Sequence, residues 1–167
     1  MDLRNALEKG YRLYLHKKDG SASCFTICGE IGRGASCIVY SASYETNSGD
    51  VKLVRIKECF PHRAKLTRRP DGSLTAAEED EELFNREKEQ LIQSFSEGNR
   101  LFYGSGMSAC FVNTLDVYRD NNTVYVVSAY SSEQTLAHRR PDTLRECAAL
   151  IRNTALILKR IHDCGCL

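Results

Sequence analysis

Apolar positions along the chain change period several times, and each change marks an expected element. Between residues 24 and 59 they alternate with polar ones. Phe25 and Ile27 come first, then Ile38 and Tyr40, then Leu53, Val54 and Ile56, with Asn47, Ser48, Gly49 and Asp50 before the last run. Alternation sends successive side chains to opposite faces, so these runs predict a three-stranded antiparallel meander. Pro61 stops the third strand because proline has no N–H to give to a ladder. Residues 62–74 carry His62, Arg63, Lys65, Arg68 and Arg69 ahead of Pro70-Asp71-Gly72, which predicts a basic, turn-rich loop.

A helix is expected next. Thr75-Ala-Ala-Glu78 has capping-box spacing, and the acids from Glu78 to Glu82 lie where the helix dipole is positive. Phe84, Leu91 and Phe95 keep helical spacing, and the pattern runs out near Gly98. Val- and Tyr-rich runs from Ala109 to Tyr118 and from Thr123 to Tyr130, joined by Asp120-Asn121-Asn122, predict a hairpin. Pro141-Asp142-Thr143 then opens a second helix with Leu144, Ala148, Ile151, Ala155 and Leu158 on one face, ending near Gly165. The order βββ-α-ββ-α is that of an α+β fold without internal repeats.

Composition narrows the function classes. The 167 residues are 42% hydrophobic and 27% charged, which fits one globular domain or part of one and excludes a disordered or fibrous chain. Lys plus Arg number 23 against 22 for Asp plus Glu, so no global field draws nucleic acid or an anionic membrane. The basic loop from Arg63 to Arg69 is short, lacks interleaved aromatics and precedes five acids, so it reads as solvated and nucleic acid is not an expected partner. No run approaches the length of a membrane span, and the amino terminus lacks signal-peptide order; a cytoplasmic, membrane-free protein is expected. The eight cysteines then read as free thiols. Cys24/Cys28 and Cys164/Cys166 have no second ligand pair nearby, so no metal site is expected on this chain.

Three features carry candidate chemistry. In Gly32-Arg33-Gly34-Ala35-Ser36-Cys37-Ile38-Val39-Tyr40 the glycines lead from one β run into another. A dinucleotide fingerprint needs a helix there, and a Walker loop needs Lys and Ser/Thr where Ala35 and Ser36 stand. What remains is either a plain hairpin or a glycine-rich turn whose backbone N–H groups lie over a polyphosphate. Lys57 closes the third strand and by itself fits a solvated side chain. Glu87 lies three residues after Phe84 and four before Leu91, on the apolar face of its helix, where a carboxylate needs a partner. Lys57 is the natural one, because this helix follows its strand.

In that order, the glycine-rich hairpin, strand lysine, helix glutamate and β-hairpin with an extended link resemble the amino-terminal lobe of the protein kinases. The motif G-x-G-x-x-G-x-V corresponds to Gly32, Gly34, Cys37 and Val39, the V-A-I-K lysine to Lys57, and the helix glutamate to Glu87. Ile56-Lys57-Glu58-Cys59-Phe60-Pro61 is similar to the I-K-E-x-x-P of many bacterial serine/threonine kinase-like proteins. The resemblance covers residues 27 to 167. It implies a five-stranded antiparallel sheet with one packed helix over 25–130, preceded by an extension over 1–24. Residues 131–167 would hold the hinge and first helices of the carboxy-terminal lobe.

It also implies ATP and Mg2+ as cofactors. Ile31, Gly32, Gly34 and Val39 would enclose the nucleotide, Lys57 would hold its α and β phosphates and Glu87 would orient Lys57. Ser128 takes the gatekeeper position, with the Ala129 carbonyl and the Ser131 amide facing adenine. Cys37 replaces the third glycine and Ala129 a common acidic hinge residue. Arg55 stands on the Lys57 face where the family has a small residue over adenine. The catalytic H-R-D loop and the D-F-G aspartate that holds magnesium would follow Leu167, so this polypeptide alone is expected to be inactive and to self-associate through residues 144–158. The reading is therefore the ATP-binding part of a Ser/Thr protein kinase, with a protein substrate that the sequence does not reveal. A non-catalytic kinase-like interaction module and part of a small-molecule phosphotransferase, such as the aminoglycoside kinases, are the alternatives. Residues 1–23 and 62–74 are either docking surfaces or solvated.

Overall fold

Five β runs and two helical runs appear where the pattern changes period, and short elements occupy segments that pattern left blank. The computed structural model describes residues 2–17, 19–104, 106, 113–131, 136 and 139–165. In chain order the elements are β1 (Arg12–His16), β2 (Ala22–Arg33), β3 (Cys37–Glu45), β4 (Val51–Cys59), β5 (Leu66–Arg68), β6 (Leu74–Ala76), a 3-10 turn (Glu78–Asp80), α1 (Glu81–Gly104), β7 (Thr114–Asp120), β8 (Thr123–Ala129) and α2 (Leu144–Asp163). Contacts divide the chain into two units, Met1–Ser96 with Thr114–Tyr130 and Glu97–Asn113 with Ser131–Leu167.

The first unit is built on an antiparallel sheet in the order β1-β2-β3-β4-β8-β7. The expected five strands are therefore six. The additional one, β1, lies in the stretch read as an extension, where Leu13 and Leu15 alternate inward between Arg12, Tyr14 and His16. Two apolar positions are too few to stand out in sequence until β2 is there to pair with them. Leu13, Phe25, Ile27, Ile38, Tyr40, Ala42, Val54, Ile56, Tyr118, Tyr125 and Val127 form the core of the curled sheet. Each large side chain among them removes enough apolar surface to contribute about 1.5–3 kcal/mol. β1 lies against β7, where the Phe25 and Tyr118 rings meet edge to face and the His16 backbone N–H donates to Asp120 Oδ2 at 2.9 Å.

Two expectations between β4 and α1 need correction. The basic loop is a hairpin, β5 paired with β6, and its Arg68 is not solvated: the side chain is 9% exposed and paired with the buried Glu58. The capping box at Thr75 does not form, because Thr75 is spent on β6; the 3-10 turn begins at Ala77 without a side-chain cap. Gly72 ends the β5–β6 turn at φ 89°, with Tyr11 so close beneath it that a Cβ would overlap the phenol oxygen. The first helix also continues past Gly98 to Gly104. The β7–β8 turn is closed by Asn121 and Asn122, both at positive φ, as a twisted hairpin requires. Of the expected run from Ala109, residues 109–112 lie outside the described residues.

In the second unit α2 starts from a complete capping box. Thr143 Oγ1 accepts from the Glu146 N–H at 3.2 Å, and the Glu146 carboxylate accepts from the Asp142 and Thr143 N–H groups. These backbone donors hold its carboxyl below the ordinary glutamate range. Leu144, Ile151 and Leu158 on this helix are 90%, 69% and 49% exposed. Among the described residues no helix is long and apolar enough to cross a membrane.

Candidate functional site

Register in the sheet places the candidate residues more tightly than sequence spacing does. Gly32 lies opposite Val39, Val39 opposite Lys57, and Lys57 opposite Val126. Directly opposed residues in antiparallel strands send their side chains to one face, so Val39, Lys57 and Val126 share a single row that starts at the glycine hairpin. The next row on that face runs Gly29, Ser41, Arg55, Ser128 and Thr114. The other face carries Tyr40, Ile56, Glu58 and Tyr125 into the core.

The glycine hairpin is tight. The Gly34 N–H donates to Cys37 O at 2.8 Å, and the Ser36 and Ala35 carbonyls accept from the Phe60 and His62 N–H groups at 2.9 Å each. A Cβ at Gly32 would meet nothing within 4 Å, so the chain's own packing does not require glycine there. Ile31 beside it is exposed at 46%, and Val39 is half-buried.

Lys57 is exposed and Glu87 half-buried on α1. Burial pushes the Cys37 thiol up to about 11, the Lys57 ammonium pulls it down and the Glu87 carboxylate pushes it up. Among the described residues no ion pair joins Lys57 to Glu87. Phe84, one turn before Glu87, fixes this part of α1 by joining the core at 1% exposure.

At the other end of the face Ser128 is 5% exposed, and its hydroxyl lies 3.5 Å from Arg55 O. Ala129 and Ser131 are half-buried. Arg55 shares the Lys57 face, and its Nε is shut off from solvent without a hydrogen-bond partner. Leaving such a donor unpaired costs about 1–3 kcal/mol. Among the described residues no group of three or more His, Cys, Asp or Glu gathers as metal ligands, and the described cysteines are free thiols.

Sequence reasoning missed a buried network directly behind Lys57. Glu58, with no exposed surface, accepts from Tyr40 Oη at 2.8 Å and Tyr125 Oη at 3.1 Å, and Arg68 reaches both its carboxylate oxygens. Burial, then the neighbouring Glu58 charge, raise both phenol pKa values, so Tyr40 and Tyr125 are neutral donors. The available signal was an acid at the third place of the alternating row Val54, Ile56, Glu58. A carboxylate in an apolar row demands a buried cation, and Arg68 is the one the β5–β6 hairpin supplies.

No protein-family model matches the chain, and no curated protein matches it. Among solved structures it is similar to the apo form of PpkA-294, a bacterial Ser/Thr kinase, at 24% identity and a TM-score of 0.62. The alignment covers 81% of this chain and 42% of that one. The fold is kinase-like, and the chain spans about two fifths of the kinase structure it matches.

Proposed function

We propose that the first unit is the ATP-binding lobe of a Ser/Thr protein kinase. The observation that supports this most is the row Gly32, Val39, Lys57, Val126 on one face of the sheet. It sets a lysine ammonium beside a glycine hairpin whose missing side chain leaves free space. In this reading the hairpin covers the phosphates, Lys57 neutralises the α and β phosphates, and Glu87 swings to Lys57 once a nucleotide is bound. Val39 and Ser128 border the base, with the Ala129 carbonyl as its edge contact. When bound, Mg2+ supplies charge neutralisation between the phosphates. By the resemblance its protein ligands are the catalytic-loop Asn and the D-F-G aspartate of a complete kinase. Phosphoryl transfer to a protein hydroxyl belongs to the complete kinase.

Mg·ATP at 100 times its dissociation constant adds about 2.7 kcal/mol and raises Tm by several degrees. Lys57→Met removes that rise while leaving the ligand-free Tm unchanged. A rise that survives in Lys57→Met ends the assignment of the phosphates to Lys57.

One observation favours a second reading, a kinase-like interaction module without nucleotide. Arg55 occupies the base end of the face with a buried, unpartnered Nε. On that reading Mg·ATP leaves the Tm of the unaltered chain where it was.

A further inference from the structure

The amino-terminal residues are bound across the tip of the glycine hairpin. Arg4, whose side chain is 7% exposed, donates from Nη2 to Gly34 O at 2.9 Å and from Nη1 to Phe60 O. Asp2 holds that guanidinium through Nη2 at 2.6 Å and Nε at 3.0 Å. In return Arg33, at the hairpin tip, donates to Arg4 O at 2.8 Å and is turned back on Glu30 at 2.6 Å. The segment is fixed from behind as well. Arg68 Nε donates to Asn5 O at 2.8 Å, the Leu7 N–H donates to Tyr40 Oη at 3.1 Å, and Leu7 is buried in the core. The same Arg68 and Tyr40 bind Glu58, the neighbour of Lys57 on β4. One connected set of bonds thus runs from the strand that carries the lysine to the carbonyl of Gly34.

We propose that residues 2–7 form a strap that sets the height of the glycine hairpin, with Arg4 as the positioning residue through which it acts on nucleotide phosphates. This rests on the reading of the face as a nucleotide site. The physical reason is preorganisation. Hairpin N–H groups bind a phosphate well only when their positions are fixed beforehand, because ordering a mobile turn on binding subtracts from affinity. Gly34 lies in the tip and Phe60, just after β4, bonds to the tip through its N–H to Ser36 O, and one guanidinium spans both carbonyls. The strap touches neither the base end of the face nor Ser128, so its effect is confined to the phosphates.

The test compares Arg4→Ala with the unaltered chain by two readouts. Amide exchange over residues 33–38 without nucleotide is expected to rise about tenfold, as two bonds to a charged donor are lost, while β3 and β4 keep their protection. The dissociation constant of Mg·ATP is expected to rise about tenfold and that of adenosine to stay within about twofold. Asp2→Asn, a milder variant that leaves the fold intact, moves both readouts the same way by less. Unchanged exchange over 33–38 in either variant overturns the strap, and equal weakening of ATP and adenosine overturns its action on the phosphates. If the unaltered chain binds neither ligand, the nucleotide reading and this action fall together, and the exchange result alone decides whether the strap holds the hairpin.

Discussion

Arg68 reaches from the β5–β6 hairpin to Glu58 on β4, with Nη1 2.9 Å from Oε1 and Nη2 2.6 Å from Oε2, and the carboxylate it meets is fully buried. The same guanidinium binds Asn5 O and Gly72 O, so one side chain joins the amino-terminal segment, the β5–β6 hairpin and the sheet. Removing one partner of a buried pair is far more costly than removing both, because the survivor stays charged and dry. Arg68→Met is therefore expected to lower unfolding free energy by about 3–5 kcal/mol. Glu58→Gln in the same background recovers part of that loss. Urea unfolding monitored by tyrosine fluorescence measures both. A loss in Arg68→Met below about 1 kcal/mol, as for an exposed pair, contradicts a dry site.

The strap has a definite pH dependence. Hydrogen bonds from the Arg4 side chain and backbone hold the Asp2 carboxyl well below its ordinary value of 3.8. A side-chain bond from Arg33 likewise holds Glu30 below its ordinary 4.5. Both are depressed carboxylates. Their stabilisation is complete above the ordinary values and is lost as pH falls through the lowered ones. Exchange over residues 33–38, corrected for the intrinsic rate at each pH, is expected to stay level down to about pH 5 and rise below about pH 4. Asp2→Asn removes part of that rise. A rise near neutral pH instead would assign the change to other groups.

Arg55 contributes a burden that a neutral side chain of similar length would lift. Arg55→Met keeps the aliphatic stem and deletes the unpartnered Nε. Stability is expected to increase by about 1 kcal/mol. Thermal unfolding without nucleotide checks it, and a fall in Tm would mean that Arg55 finds a partner in solution.

The parts legible in sequence were those where one period persisted. Ile38, Tyr40 and Ala42, or Val54 and Ile56, alternate long enough to declare strands, and Phe84 with Leu91 declares a helix. β1 and the β5–β6 hairpin offered only two or three inward positions each, and they exist because longer strands and Arg68 hold them in place. Thr75 shows the opposite failure: a local capping pattern was overruled when β6 took the residue for pairing. Within the candidate site, the shared face of Arg55 and Lys57 followed from alternation. That Lys57 and Glu87 form no ion pair, and that Arg4 reaches Gly34 O, depend on contacts between segments far apart in the chain, and no local pattern encodes those.

The meeting of β1 with β7 has a consequence for how this lobe can be approached. An open sheet offers two rows of unpaired backbone groups, each a template on which another molecule can add a strand. Here the two outer strands face one another. The Lys17–Asp116 and His16–Asp120 pairs and the Tyr118–Ser23 hydroxyl bond cross the seam. An incoming strand at this seam would first have to displace these contacts, a requirement that the edges of the separate β5–β6 pair do not impose.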